Sequence, residues 1–344
     1  MKIAVDAMGG DYAPSAIVEG AVQAVRELDC KIVLVGIKDV VQAELEKLGA
    51  KNLPIEIVHA SETVEMDESP SLAYRKKKDS SVMVGVELVK TGAVDAFVSA
   101  GNTGAVMATA LLKLRPMPGV TRAPIAVQLP TSKGRSVLLD AGANIDCKAR
   151  NLLEFGIMGS IYSSFVSGKE SPVVATLSIG EEEGKGNDVI RDAASLLKKS
   201  SINFLGNVEA KAVYKGDVDV IVCDGFVGNI TLKVSESLAE MISKELRGIF
   251  ENSLRGKLGY LLVRPFLDKF KKTVDHSEVG GAPLLGINGT VIISHGSSKA
   301  KSIKNAVMQA QKYTQMDINT KIRQGLEKNA ALRDESEHQK PEQS

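Results

Sequence analysis

One arrangement recurs six times along the chain: a short β-branched or apolar run, a turn rich in Gly, Asn, Asp or Ser, then a segment of helical periodicity. The six are "IAVDAMGGDYAPSAIVEGAVQAV", "VDAFVSAGNTGAVMATALLKL", "SVLLDAGANIDCKARNLLEFGIMGSIYSSF", "VVATLSIGEEEGKGNDVIRDAASLL", "VDVIVCDGFVGNITLKVSESLAEMI" and "TVIISHGSSKAKSIKNAVMQAQ". They share no fixed sequence period, which argues against a solenoid. Runs such as "VDVIVC" and "TVIIS" are apolar on both faces, as parallel strands covered by helices require. The expectation is an α/β protein: a doubly wound, mostly parallel sheet with helices on both faces, forming one large domain over residues 1–320. Residues 321–344 read as a helical extension and a disordered polar tail, since "RDESEHQKPEQS" has no apolar anchor.

In such a sheet the turns after the strands share one edge, where ligands bind. Each of these turns also precedes a helix, whose first N–H groups and positive dipole end attract an anion. The stretch "SIGEEEGKGND" adds a lysine, Lys185, between two glycines. A P-loop is excluded: the spacer between Gly180 and Gly184 is one residue short, and Gly186 stands where a hydroxyl would hold Mg²⁺. The dinucleotide fingerprint G-x-G-x-x-G is missing as well. His59, His276, His295 and His338 lie far apart with no metal-ligand spacing, leaving only Asp6, Asp11, Asp140 and Asp224 as a minor candidate set for Mg²⁺. What remains is an edge of backbone donors, short amides (Asn102, Asn144, Asn187, Asn229) and Lys185. That set suits inorganic phosphate or a phosphoryl group beside a carbonyl.

Composition narrows the partners. With 43 basic and 42 acidic residues the net charge is +1, so no global field draws the chain to nucleic acid. Three cysteines, Cys30, Cys147 and Cys223, without a CxxC pair, suit a reducing compartment. The chain starts without a signal-peptide pattern and has no span approaching the roughly 20 apolar residues of a membrane helix. Blander readings stand beside the functional ones. A single Gly-Asn or Asp-Gly pair usually only makes a turn. Glu181 and Glu182 read as a solvated face, while Glu183 is placed to orient the Lys185 ammonium. Cys223 reads as a small buried side chain. His295 is as well suited to capping its turn as to proton transfer.

The loops together resemble the bacterial phosphate acyltransferase family (acyl-ACP:phosphate transacylase, PlsX). The matching stretches are "DAMGGD" at 6–11, "SAGNTGA" at 99–105, "DAGAN" at 140–144, "GEEEGKGN" at 180–187, "DGFVGN" at 224–229, "GGAPLLG" at 280–286 and "HGSS" at 295–298. The resemblance implies a fold akin to isocitrate and isopropylmalate dehydrogenases and to phosphotransacetylases. It implies a cytosolic homodimer without a cofactor that moves a long-chain acyl group from acyl carrier protein to inorganic phosphate. The acyl phosphate then serves a membrane glycerol-3-phosphate acyltransferase. On these motifs Lys185 and Asn229 are the expected catalytic residues. Phosphate and acyl binding fall to Asp6, Gly9, Gly10, Asp11, Ser99, Gly101, Asn102, Thr103, Gly104, Asp140, Gly142, Asn144, Glu183, Asn187, Asp224, Gly225, Gly228, His295 and Gly296. Direct attack by phosphate is preferred to an acyl-Cys223 intermediate. A phosphotransacetylase acting on coenzyme A thioesters and a phosphate- or acyl-sensing regulator are the alternatives. The basic run "YRKKKDS" at 74–80 is a candidate patch for the carrier.

Residues 252–272, "NSLRGKLGYLLVRPFLDKFKK", mix Leu254, Leu258, Leu261, Leu262, Phe266, Leu267 and Phe270 with Arg255, Lys257, Arg264, Lys269, Lys271 and Lys272. Pro265 is expected to break the run into a hairpin or kinked pair, inserted at about 235–275. Apolar side chains with a basic fringe fit an anionic membrane surface, with Leu254, Leu258, Leu261, Leu262 and Phe266 as anchors. Packing on a dimer partner fits equally well.

Overall fold

In the computed structural model, residues 1–251, 254–274 and 278–333 are described, save the side chains of 251, 254 and 268–274. The elements of the first half are β1 (Lys2–Asp6), α1 (Ser15–Glu27), β2 (Lys31–Gly36), α2 (Lys38–Lys47), β3 (Ile55–His59), α3 (Pro70–Lys76), α4 (Ser81–Lys90), β4 (Ala96–Ser99), α5 (Thr103–Leu114), β5 (Val127–Thr131) and β6 (Gly134–Leu139). Those of the second half are α6 (Ala149–Ser167), β7 (Val174–Leu177), α7 (Asp188–Lys199), β8 (Phe204–Val208), β9 (Val220–Val222), α8 (Gly225–Glu251), α9 (Leu254–Val274), β10 (Ala282–Pro283), β11 (Val291–Ile293), α10 (Ala300–Gln315) and α11 (Ile318–Lys328).

The strands divide between two sheets, ordered β10-β11-β4-β1-β2-β3 and β5-β6-β9-β7-β8. All pairs are parallel except β10 with β11 and β5 with β6. The class is thus the expected α/β, but the six units do not share one sheet. The reason is visible in two prolines. Pro130 lies in β5 and Pro283 in β10, and a residue without an N–H is tolerated only at a sheet edge. The two edges meet through an isolated bridge between Ile125 and Leu284 and do not fuse into one sheet.

In the first sheet, one face packs Ile3, Val5, Ile32 and Leu34 against α1 and α10, and the other packs Ala4, Val33 and Phe97 against α4 and α5. In the second, Val137, Leu139, Val220 and Val222 pack against α6 and α7. Its opposite face, with Leu129, Leu138, Ala175 and Ile221, is closed by Val208, Val213, Val218 and the start of α8. β9, the strand after "VD", is buried at every position, as the sequence pattern required. The helical extension after residue 317 joins this core, because Ile318, Ile322 and Leu326 lie one helical turn apart and are all buried against α6. The polar tail lies outside the described residues.

The hairpin differs from expectation in two respects. It begins at Gly225, as α8 itself, and α9 runs unbroken through Pro265. The Phe250 ring of α8 and the Tyr260 ring of α9 lie with their centroids 5.6 Å apart. None of the described helices is long and apolar enough to cross a membrane.

Candidate functional site

The loops that follow the parallel strands fall into two contact groups. The first gathers the turns after β1, β4 and β11. Asp6, fully buried at the end of β1, accepts the Ser99 hydroxyl at 2.7 Å and the Met8 N–H at 3.1 Å. Burial pushes its carboxyl above the usual carboxylate range, against the pull of Ser81, Ser99 and the Met8 and Gly9 N–H groups. Ser99 in turn accepts the Gly101 N–H at 3.0 Å. The loops touch at Gly9, where an added Cβ would lie 2.8 Å from the Gly101 backbone. Asp11 N–H donates to the Gly296 carbonyl at 2.8 Å, tying "AMGGD" to "HGSS".

The second group joins the turns after β6 and β9. The Asp140 carboxylate accepts N–H groups of Ile125 (2.9 Å), Gly142 (3.3 Å), Ala143 (3.1 Å) and Asn144 (2.6 Å), and the Asn144 Nδ2 (2.9 Å). Burial raises its pKa while these donors lower it, and the rise prevails. Gly225 N–H donates to the Asn144 carbonyl at 2.7 Å, and Val227 N–H to Asp224 Oδ1 at 2.9 Å, so Asp224 caps α8. At Gly228 the first turn of α8 comes so close that an added Cβ would sit 1.8 Å from the Asp140 carbonyl oxygen. The next residue, Asn229, lies against Gly142, with its Cβ 3.4 Å from where a Gly142 Cβ would stand. Its amide bonds no group among the described residues, and the side chain is exposed.

Lys185 stands on the turn after β7, the strand next to β9. That turn is held from below by Asn207, a buried amide on β8 that donates to the carbonyls of Glu182 (2.9 Å) and Lys185 (3.4 Å). The aliphatic stem of Lys185 folds over Gly180, where an added Cβ would lie 2.8 Å from its Cγ. Among the described residues its ammonium has no carboxylate partner. The two groups are joined at the sheet seam: Ala141 and Ala143, between Asp140 and Asn144, pack with Leu284 and Ile293 at the end of β11. By strand order, the loops run Lys185, Asn229, Gly142 along the second sheet and Gly296, Gly101, Asp6 along the first.

Several expected roles change. Asn102 spends both ends of its amide within the protein: Oδ1 caps α5 at Ala105 N–H (3.0 Å), and Nδ2 donates to the carbonyls of Glu65, Met66 and Glu68 (3.2, 3.0 and 2.9 Å). Asn144 gives its Nδ2 to Ala123 and Asp140. Both shape loops and do not offer amide donors. The donors at Asn102 are instead the N–H groups of Thr103 and Gly104 at the α5 N-terminus, which bond no group of the described residues. Asn187 Oδ1 caps α7 at Ile190 N–H (2.9 Å). Glu183 pairs with Lys198 at 2.5 Å and not with Lys185, because the last turn of α7 brings Lys198 back beside the loop. His295 caps its own turn, Nδ1 receiving the Ser297 N–H at 3.2 Å.

The carboxylates considered for Mg²⁺ are split, Asp6 and Asp11 in one group and Asp140 and Asp224 in the other. No cluster of three or more metal-ligating side chains occurs among the described residues. In the basic run, Lys77 pairs with Glu68 at 2.6 Å and Lys78 lies over the Tyr74 ring. Cys223 is buried with its Sγ 3.8 Å from the Asp140 carbonyl, and burial holds its thiol far above its ordinary pKa.

On α9, Leu258, Leu262 and Phe266 are 66%, 74% and 74% exposed and recur every fourth residue, so they form one outward stripe. Leu261 is exposed beside it. The Leu254 and Phe270 side chains, with Lys269, Lys271, Lys272 and His276, lie outside the described residues. The sequence reading missed Asn207 and Ser81. A polar residue inside the strand run "FLGNV" was the available signal for the first.

The family model described as "Fatty acid synthesis protein" matches residues 1–321. A phosphate acyltransferase from Syntrophotalea carbinolica is 52% identical over 320 residues, which cover 93% of this chain and 92% of that one. Another, from Alkaliphilus oremlandii, is 48% identical over 326 residues, covering 95% and 97%. Among solved structures, a phosphotransacetylase from Streptococcus pyogenes aligns with a TM-score of 0.63 at 19% identity over 92% of this chain and 94% of that one, so the two share a fold. With every motif loop inside the matched span, the chain belongs to the family of bacterial phosphate acyltransferases, enzymes of lipid synthesis.

Proposed function

We propose that the chain transfers a long-chain acyl group from acyl carrier protein to inorganic phosphate, and that Lys185 and Asn229 carry the reaction. The observation behind this is the pair itself: an ammonium without a carboxylate partner and an amide without a protein partner, on loops that leave neighbouring parallel strands at one edge. Both groups are donors, which is what a phosphate dianion and a developing oxyanion require.

A phosphate oxygen attacks the thioester carbonyl carbon. Lys185 offsets the phosphate charge, Asn229 Nδ2 donates to the tetrahedral oxygen, and the C–S bond breaks, releasing the carrier thiolate, which takes up a proton. Holding phosphate and carbonyl side by side replaces a chance encounter with an oriented one, so no acyl-enzyme is needed. The glycines bring backbone close to the ligand, and the buried Asp6 and Asp140 hold the loops in shape without touching substrate. Thr103 and Gly104 N–H groups offer a second anion-binding position for the carrier's long arm.

The product, an acyl phosphate, is supplied to a membrane glycerol-3-phosphate acyltransferase. The enzyme works as a cytoplasmic homodimer held peripherally at an anionic membrane through the Leu258, Leu262 and Phe266 stripe, with Leu261 beside it. The test is phosphate-dependent release of free carrier thiol from acyl carrier protein. Lys185→Ala is expected to lower turnover about 100- to 1000-fold, the cost typical of one lost stabilising donor. Near-normal turnover in that variant refutes the assignment, and turnover on coenzyme A thioesters alone refutes the donor.

A further inference from the structure

The turn that carries Lys185 has glycines at 180, 184 and 186, so its own backbone does little to hold one shape. Its side-chain ties at the surface are Glu181 to Lys211 (3.3 Å), Glu183 to Lys198 (2.5 Å) and Arg191 to the Gly186 carbonyl (2.7 Å). These lie in water, where such contacts hold a loop weakly. The tie from beneath is different. Asn207 on β8 and Thr176 on β7 are 6% and 0% exposed. The Asn207 amide donates to the Glu182 and Lys185 carbonyls at 2.9 and 3.4 Å and accepts the Thr176 hydroxyl at 2.7 Å. Since the two carbonyls can only accept, Nδ2 must face them and Oδ1 must face Thr176. The hydroxyl therefore locks the amide in its working orientation.

Asn207 reaches this position through an irregularity in β8. Phe204 packs with Val174 in the core shared with α6 and α7, whereas Val208 packs with Ala175 and Leu177 on the opposite face of the sheet. In a regular strand residues three apart face opposite sides, so Phe204 on the α7 face would send Asn207 away from it. The register prevents that. Val174 pairs with Phe204 but Ala175 pairs with Gly206, which leaves Leu205 as an extra residue, and Gly206 takes φ +122°. Asn207 thereby falls opposite Thr176, on the side from which the Lys185 turn enters α7. An extra strand residue that re-aims one side chain is a costly feature for a polar group with no task.

We propose that Asn207, locked by Thr176, is a positioning residue for Lys185: it fixes the Lys185 main chain over the sheet edge and so sets the reach of the ammonium to phosphate. The proposal rests on the role given to Lys185 above. Asn207 lies beneath the turn and acts only through it.

The experiment measures kcat and KM for phosphate and for the carrier thioester in Asn207→Ala, Thr176→Val and Thr176→Ser, with Asn207→Ala also combined with Lys185→Ala. Asn207→Ala is expected to lower kcat/KM for phosphate about 10- to 100-fold, the cost of a reacting group displaced by up to about 1 Å. KM for the thioester should stay within about twofold of the parent. In the Lys185→Ala background the same substitution should change kcat/KM by less than about twofold, because nothing is left to position. Thr176→Val removes the orienting hydroxyl and should lose about tenfold, and Thr176→Ser, which keeps it, should stay within about threefold of the parent. Thermal melting and circular dichroism identify any variant that fails to fold; if Asn207→Ala is one, the two Thr176 variants carry the test.

Unchanged phosphate kinetics in a folded Asn207→Ala enzyme, the same loss with and without Lys185, or equal losses in Thr176→Val and Thr176→Ser overturn the positioning role and leave the acyltransferase reading standing. Calorimetric titration with inorganic phosphate separates the other case. If Asn207→Ala and Lys185→Ala weaken phosphate binding by similar factors while the parent consumes no thioester, the positioning role stands and the acyltransferase reading fails.

Discussion

The closest approach in the site makes Gly228→Ala the most demanding substitution. An alanine Cβ there would lie 1.8 Å from the Asp140 carbonyl oxygen and 3.1 Å from Cys223 Sγ, whereas real Cβ atoms essentially never come within 3.0 Å of another heavy atom. The neighbour cannot yield, because Asp140 N–H is bonded to the Cys223 carbonyl (2.9 Å) and Cys223 N–H to the Leu139 carbonyl (2.6 Å), fixing the β6–β9 pair on both sides. The helix must therefore move outward by about 1 Å. Two opposing effects set the stability change. Alanine is favoured over glycine within a helix by up to about 1 kcal/mol, and forced overpacking costs about 1–3 kcal/mol. The net cost is up to about 2 kcal/mol, a fall of at most a few degrees in melting temperature for a chain this long. The effect on turnover is larger. Asn229 is the next residue, and a displacement of about 1 Å in a reacting geometry costs roughly 100-fold. Gly184→Ala is the control, since nothing lies within 4 Å of its added Cβ. The assay is thermal melting alongside phosphate-dependent thiol release. A Gly228→Ala enzyme that melts with the parent and turns over within about threefold of it would show that the α8 start and Asp140 are not held at this separation.

Direct attack predicts that Cys223→Ser keeps turnover within about tenfold and traps no acyl-enzyme, because a buried thiol held protonated is no nucleophile; complete inactivation with a trapped thioester in the parent would reverse that. Cys147 is partly exposed, yet burial and the nearby Asp140 and Asp224 push its thiol up to about 12. Its alkylation at pH 8 should be about a thousandfold slower than that of an ordinary thiol and should climb tenfold per pH unit past pH 10, so a plateau near pH 9 contradicts the assigned surroundings. Leu262→Glu should abolish flotation with anionic vesicles while turnover in solution persists; retained flotation would return the outward stripe of α9 to a packing role.

What the sequence disclosed and what it withheld divide by range. The strand units were legible because burial on both faces leaves a continuous apolar run, as in "VIV" of β9 and "VII" of β11. The turn glycines were legible for the same local reason. The partition into two sheets was not, although Pro130 and Pro283 marked the edges, because a proline shows where a sheet ends without showing what lies beyond. Asn102 looked like a ligand donor beside two helix-opening glycines, but its amide is consumed by carbonyls more than thirty residues away in sequence. Glu183 sits two residues from Lys185 and yet bonds Lys198, brought back by the length of α7. The outward apolar face of α8 was legible too, in Ile230, Val234, Leu238, Ile242 and Leu246 at four-residue intervals.

The same helix links these features. α8 begins with a turn pressed against Asp140 so tightly that only glycine fits at Gly228, and this contact fixes Asn229 at the rim. It continues for 27 residues, far longer than a connection from β9 needs. Its start packs on the second sheet at Leu232, and its later turns pack with α9.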